Sequence, residues 1–301
     1  MKVIKQPGEY LYAFDPKQKA ITTVKNGETI CVSTKDAFCN RLNEPGMLPS
    51  DLSGNLNPVT GPLCIADAMP GDSLKIEIID ITPDKDWGVS VAAKGFGALV
   101  PTSSTAMLNQ PLEERTWFYQ REKDGSYRNS QRLKVDWRPF IGTIATACTP
   151  ESVSSLSPGP MGGNMDVPDV CPGNTLYLPV YTPGAQFYVG DCHAAQGDGE
   201  ICGAALEISA EVTLRISVCK GKRIEWPRIE SEREIMVVGS ARPMEDAARI
   251  AYTQLIYWMT EEYGWDTMDA YQMLSLCGRM SVGNMVDPLY SMVAKLDKKY
   301  L

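Results

Sequence analysis

Apolar–polar alternation over two long stretches constrains this chain more than any other feature. Leu74, Ile76, Ile78 and Ile81 fall on one side of a strand, with Lys75, Glu77 and Asp80 among the intervening positions. Residues 204–218 (AALEISAEVTLRISV) alternate almost without a break. A repeat of two sends successive side chains to opposite faces of a sheet, so both stretches are strands with one face on a core. The second is either one long strand or a bent pair. Shorter segments at 10–14, 20–24, 29–33, 63–66, 140–148, 225–229 and 235–239 read the same way, and 116–119 pairs with 126–135 around the KDGS turn. The phrases PGDSLKIEI and PGNTLYLPV hint at an internal duplication.

The period changes only beyond residue 240. Ala248, Ala251, Tyr252, Leu255, Ile256 and Met259 recur at spacings of three and four, which predicts a helix over Met244–Tyr263. Gly264 stops it, and Asp266 caps a second helix over Thr267–Cys277. Residues 280–288 and 291–296 close the chain as short strands. The expected fold is mainly β: sandwich or jelly-roll sheets over residues 1–240, with a smaller α/β section over 241–301. Residues 44–61 and the SPGPMGGNMDVPD segment read as loops. Residues 84–110 have no clean period and read as a lid, a substrate wall or an irregular crossover.

Charge and cysteine usage narrow the partners. A net charge of −8 argues against a nucleic-acid partner. No apolar run approaches the ~18 residues of a membrane span. The first residues lack the apolar core and cleavage site of a signal peptide. Nine scattered cysteines without a C-x-x-C pair fit reduced thiols in a cytoplasmic protein.

His193 is the one histidine in the chain. Asp191 lies two positions before it, so on a strand the two side chains project together. The turn-rich QGDGE segment at 196–200 predicts a hairpin that folds Glu200 back towards that pair. An imidazole beside several carboxylates can hold a divalent cation with a coordination position left open. A solvated acidic loop with a hydrogen-bonded histidine is the plainer alternative. With a single histidine, no G-x-S-x-G elbow, and Cys192 facing away from His193, the common nucleophilic hydrolases are excluded. The pairs Ser103-Ser104 and Ser154-Ser155 lack the setting of a Ser-Ser-Lys amidase, and no phosphate-binding or dinucleotide-binding glycine pattern is present. Metal-assisted hydrolysis survives. There the cation acidifies a water and polarises the group under attack, while Glu200, or failing it Asp198 or Asp166, moves the proton.

GDCHAAQGDGE, GGNMD at 162–166, NPVTGP at 57–62, YLPVYTPGA at 177–185 and VDP at 286–288 resemble the acetamidase/formamidase family, and the matches run across nearly the whole chain. The resemblance implies hydrolysis of a small aliphatic amide and a homo-oligomer, first of all a dimer. It raises Asp36 to a further metal ligand beside Asp191 and His193, although Cys39-Asn40 stands where the family often carries a glycine. Asn57 and Asp166 are candidates at the same cation, and the loop carrying Asn164 and Asp166 belongs at the rim of the active site, where both can bind substrate. Zinc is the first choice because of the imidazole, with calcium or manganese open to an oxygen-rich site. Hydrolysis of another amide such as a lactam, and a non-catalytic metal-binding sandwich, are the alternatives.

Overall fold

In a computed structural model that describes residues 3–102 and 112–301, strands dominate and two helices lie near the end of the chain. The Ser103-Ser104 pair and the last residues of the 84–110 segment lie outside the described residues. Nine strands form one sheet. Its middle is Ser73–Pro83, flanked by Ala210–Cys219 and Thr175–Pro179 in antiparallel register. The two similar phrases are therefore direct neighbours, with Leu176 opposite Ile76 and Leu178 opposite Leu74. A second sheet of ten strands is built around Phe187–Ala195.

The inner faces of both sheets supply one core. Ile30, Ile76 and Leu214 come from the nine-stranded sheet and meet Leu63, Ile144 and Val189 of the ten-stranded one, all buried. Each such side chain contributes about 1.5–3 kcal/mol when fully withdrawn from water. This is the sandwich that the alternation required. The alternating run at 204–218 is the bent pair: Leu206–Ile208 lies in the ten-stranded sheet and Ala210–Cys219 in the nine-stranded one, with Ser209 at the corner.

Met244–Tyr263 and Thr267–Cys277 are helical as the spacing predicts. Gly264 adopts φ 70° at the first C-terminus, and the Asp266 side chain accepts from the Met268 and Asp269 amides at the second N-terminus. The helices cover the outer face of the nine-stranded sheet. On Glu234–Ala241, Met236 and Val238 point into the sandwich, while Ile235 and Val237 pack against Ala251, Leu255 and Trp258. Both faces are closed, which explains the unbroken apolar run. Gly239 lets the helix come this close, since a Cβ there would lie 2.3 Å from the Ala247 carbonyl oxygen. The Tyr290–Asp297 strand pairs with Glu234–Ala241, so the C-terminal section continues the same sheet.

Three loop expectations need correction, the first being the SPGPMGGNMDVPD segment, in which Gly162–Asn164 is a strand paired with Phe140–Thr146. Val59–Ile65 is a strand that begins inside the 44–61 segment, and Trp87–Ala92 is a strand inside the aperiodic 84–110 segment. Both pair within the ten-stranded sheet, where neighbouring strands supply order that local composition hid. Among the described residues no helix is long and apolar enough to cross a membrane.

Candidate active site

All nine residues of Phe187–Ala195 are buried. One edge pairs along its length with Phe140–Thr146, and the other pairs first with Val59–Ile65 and then with Leu206–Ile208. The hairpin predicted from the sequence exists, but its returning strand starts at Leu206. His193 therefore faces Glu207 across the ladder, and a bulge follows between His193 and Ala195.

Asp191 and His193 do project together. The imidazole Nε2 lies 3.4 Å from Asp191 Oδ1 and 3.2 Å from Glu207 Oε2, with all three side chains almost wholly enclosed. The Phe140 ring stands edge-on to the imidazole, 4.8 Å away at 87°. Glu200 reaches the cluster from the loop. Ligating atoms of three overlapping groups lie within 4.8 Å of one another: Asp166, Asp191 and His193; His193, Glu200 and Glu207; Asp166, Glu200 and Asp287. Asn57, Asp166, Asp191 and Glu200 all carry positive φ, between 50° and 62°. That backbone is sparsely populated by non-glycine residues, and such positions gather at functional sites.

Gly142 forms the floor. A Cβ on it would lie 2.6 Å from Asp166 Oδ1 and 2.8 Å from Asp191 Oδ2. The two carboxylates occupy the space that any other residue's side chain would need.

Five carboxyl groups (Asp166, Asp191, Glu200, Glu207 and Asp287) are buried here, and no lysine or arginine side chain pairs with them among the described residues. Burial alone would strip the His193 imidazole of its proton, but Glu207 and Asp191 outweigh it and hold the pKa well above the usual histidine range. Burial opposes the charge of Asp191 too, yet His193 keeps that carboxylate below its ordinary value. Burial pushes Glu207 up to about 7 and Asp287 to about 6. Asp166 and Glu200 are raised well above the carboxylate range, by burial first and by carboxylate neighbours after it. Four atoms of the cluster make no well-aligned hydrogen bond, the imidazole Nε2 meeting its two carboxylate neighbours only as an ion pair: Asp166 Oδ1, Asp191 Oδ1, His193 Nε2 and Glu207 Oε2. Buried polar atoms are rarely left unpaired. Four in one cluster, three of them carboxylate oxygens, fit a bound cation.

The other predicted residues take different places. Asn57 supports the cluster through Nδ2, which donates to Thr143 Oγ1 (3.0 Å), Asn164 Oδ1 (2.8 Å) and the Ser155 carbonyl (3.0 Å). Thr143 in turn stands 3.3 Å from Asp191 Oδ2 and hydrogen-bonds Asn164 Oδ1. Asn164 is buried in this network, donating to Asp287 Oδ2 at 2.7 Å, and Asp166 sits in the middle of the cluster. Asp36 is buried, with Oδ1 accepting from the Phe38 and Asn40 amides at 3.0 and 2.7 Å. Burial, with Asp191 adding to it, raises its pKa to about 6. It stands outside the three close groups. Asp198 is exposed and lines a cavity of about 310 Å³ that also touches Glu200, Gln196, Tyr119 and Leu206.

Sequence reasoning missed Glu207, Asp287, Thr143 and Gln196. Asp287 carried a signal in the VDP phrase. Glu207 carried none, because an acid in an alternating strand reads as a solvent-facing residue.

A model of the Acetamidase/Formamidase family matches residues 2–156 and 145–293. The formamidase of Methylophilus methylotrophus is 33% identical over 268 residues, 71% of this chain and 65% of that one. The chain spans less than two thirds of that relative's length, and 61% of another curated relative's. The crystal structure of acetamidase from Yersinia enterocolitica superimposes with a TM-score of 0.92 at 40% identity, covering 97% of this chain and 89% of the other. That of acetamidase from Bacillus halodurans does so with a TM-score of 0.92 at 32% identity, covering 99% and 98%.

Proposed function

The chain belongs to the acetamidase/formamidase family, and from that premise we propose that it hydrolyses a small linear amide, acetamide or formamide first, to the carboxylate and ammonia. The relatives named formamidase and acetamidase support that substrate class. We place a divalent cation at the cluster, held by His193 Nε2 with Asp191, Glu207 and Asp166. The four buried atoms without a well-aligned hydrogen bond carry that assignment. Zinc suits the imidazole, and the carboxylate-rich remainder also suits manganese or calcium. When bound, such an ion supplies Lewis acidity towards an amide carbonyl and a water.

Glu200 connects the buried cluster to the cavity, because its carboxyl belongs to two of the close groups and the residue lines the cavity wall. A water and an amide enter on that side. Glu200 accepts a proton from the attacking water and returns it to the amine nitrogen as the carbon–nitrogen bond breaks. Asn57, Thr143 and Asn164 hold the carboxylates in place through their hydrogen bonds. Nine unpaired thiols support a cytoplasmic setting. We infer a homodimer from the family resemblance, and the two helices expose apolar side chains, Tyr257, Met268, Tyr271 and Leu276 among them.

Ammonia release from acetamide, formamide and a panel of lactams, before and after chelation, tests the reading. Release from the linear amides that disappears with the cation is expected. Activity that survives complete removal of the cation would exclude the metal role, and no turnover of any amide by cation-loaded protein would exclude the hydrolase.

A further inference from the structure

Gln196 contacts His193 on the side of the ring away from the carboxylates. The imidazole Nδ1 lies 3.0 Å from Gln196 Oε1. The orientation of the Gln196 amide is set by its other end, where Nε2 donates to the Asp166 carbonyl at 2.8 Å and the Gly283 carbonyl at 2.9 Å. An amide NH₂ has two hydrogens, and both are used. Turning the amide over would set its oxygen against two carbonyl oxygens. Oε1 therefore faces the ring as an acceptor, and an acceptor there requires a hydrogen on Nδ1.

From this geometry we propose that Gln196 is the positioning residue of the site: it holds the His193 proton on Nδ1, so that Nε2 is the nitrogen presented to Asp191, Glu207 and any cation between them. Phe140, edge-on to the ring, limits its rotation. The same amide also ties down the Asp166 backbone, so one side chain links the ring to the segment that carries that carboxylate. Partners of this kind on a ligating histidine are typically worth 10–100-fold in metal affinity. The affinity part rests on the cation-dependent reading above, while the protonation part stands without it.

A single histidine makes the test direct. In protein labelled with ¹⁵N-histidine, Nδ1 is protonated both in the metal-free state, where Nε2 also carries a proton towards Asp191 and Glu207, and after addition of zinc alone, where Nε2 becomes the metal-bonded nitrogen. A pyridine-type or metal-bonded Nδ1 in either state overturns the proposal, whether or not any amide is hydrolysed. Gln196→Met keeps the side-chain length and removes donor and acceptor. It should weaken zinc binding by about 10–100-fold in titration calorimetry and let the Nδ1 proton exchange rapidly. Wild-type zinc affinity in a folded Gln196→Met protein overturns the positioning role. If that variant fails to fold, the wild-type spectra alone decide the matter.

Discussion

Glu207 stands directly opposite His193 in the antiparallel ladder, with Oε2 3.2 Å from the imidazole Nε2 and Oε1 accepting from the Ala205 amide at 2.9 Å. One oxygen is fixed by the backbone and the other is free to face the ring. Glu207→Gln keeps the shape and removes the charge. Zinc affinity should fall at least about tenfold, the lower end of what outer partners of a metal site contribute. Calorimetry measures it, and unchanged affinity removes Glu207 from the ligand set.

Glu200→Gln separates proton transfer from ion binding. General acid–base catalysis contributes about 10²–10⁴-fold, so turnover should drop by that factor while bound metal stays at the wild-type level. Ammonia release and metal content on the same preparation decide the matter. If the metal is lost with the activity, Glu200 is a ligand and another group moves the proton.

Asp36 predicts the pH dependence of the chelator-treated protein. Its carboxyl titrates at about 6 in the folded chain against an ordinary 3.8. The folded state keeps a proton that the unfolded chain gives up across that window, so stability is fully present below pH 4 and falls as pH rises to 6. About 3 kcal/mol is at stake. Asp287 and Glu207, raised to about 6 and about 7, act in the same direction. Urea unfolding at a series of pH values should show the decline, and Asp36→Asn should shrink it. An unaltered slope in that variant counts against the buried carboxyl as its source.

Gly142→Ala places a methyl group where the Asp166 and Asp191 carboxylates stand, 2.6 and 2.8 Å from their oxygens. Overpacking of this kind costs about 1–3 kcal/mol. The variant should melt at lower temperature and bind zinc far more weakly than the melting shift alone would suggest. Normal zinc binding would show that the two carboxylates can move apart without consequence.

The sheets and both helices were legible because their evidence is local: a period of two, a period near three and a half, Gly264, and Asp266. The Asp191–His193 pair and the return of Glu200 were legible for the same reason, since strand spacing and turn chemistry act over a few residues. Glu207 escaped because its partner is fixed by the starting point of the returning strand, and five apolar or small residues at 201–205 do not reveal where pairing begins. Asp287 and Asn164 meet across 123 positions, a distance over which no spacing rule operates. Gln196 read as a turn former, and its three hydrogen bonds depend on the Asp166 and Gly283 carbonyls arriving from elsewhere.

The Phe187–Ala195 strand is stitched along both edges and closed on both faces, so nothing reaches His193 from the side. The open approach is the loop of residues 196–205, which lines the cavity. On the cation-dependent reading proposed above, an ion would enter and leave through that loop. An ion with labile ligands should still leave slowly, and raising the chelator concentration beyond saturation should not hasten it. A short-lived drop in free metal around the protein would pass before the site had emptied. On that reading, enclosure would make the occupancy of the centre lag behind its surroundings.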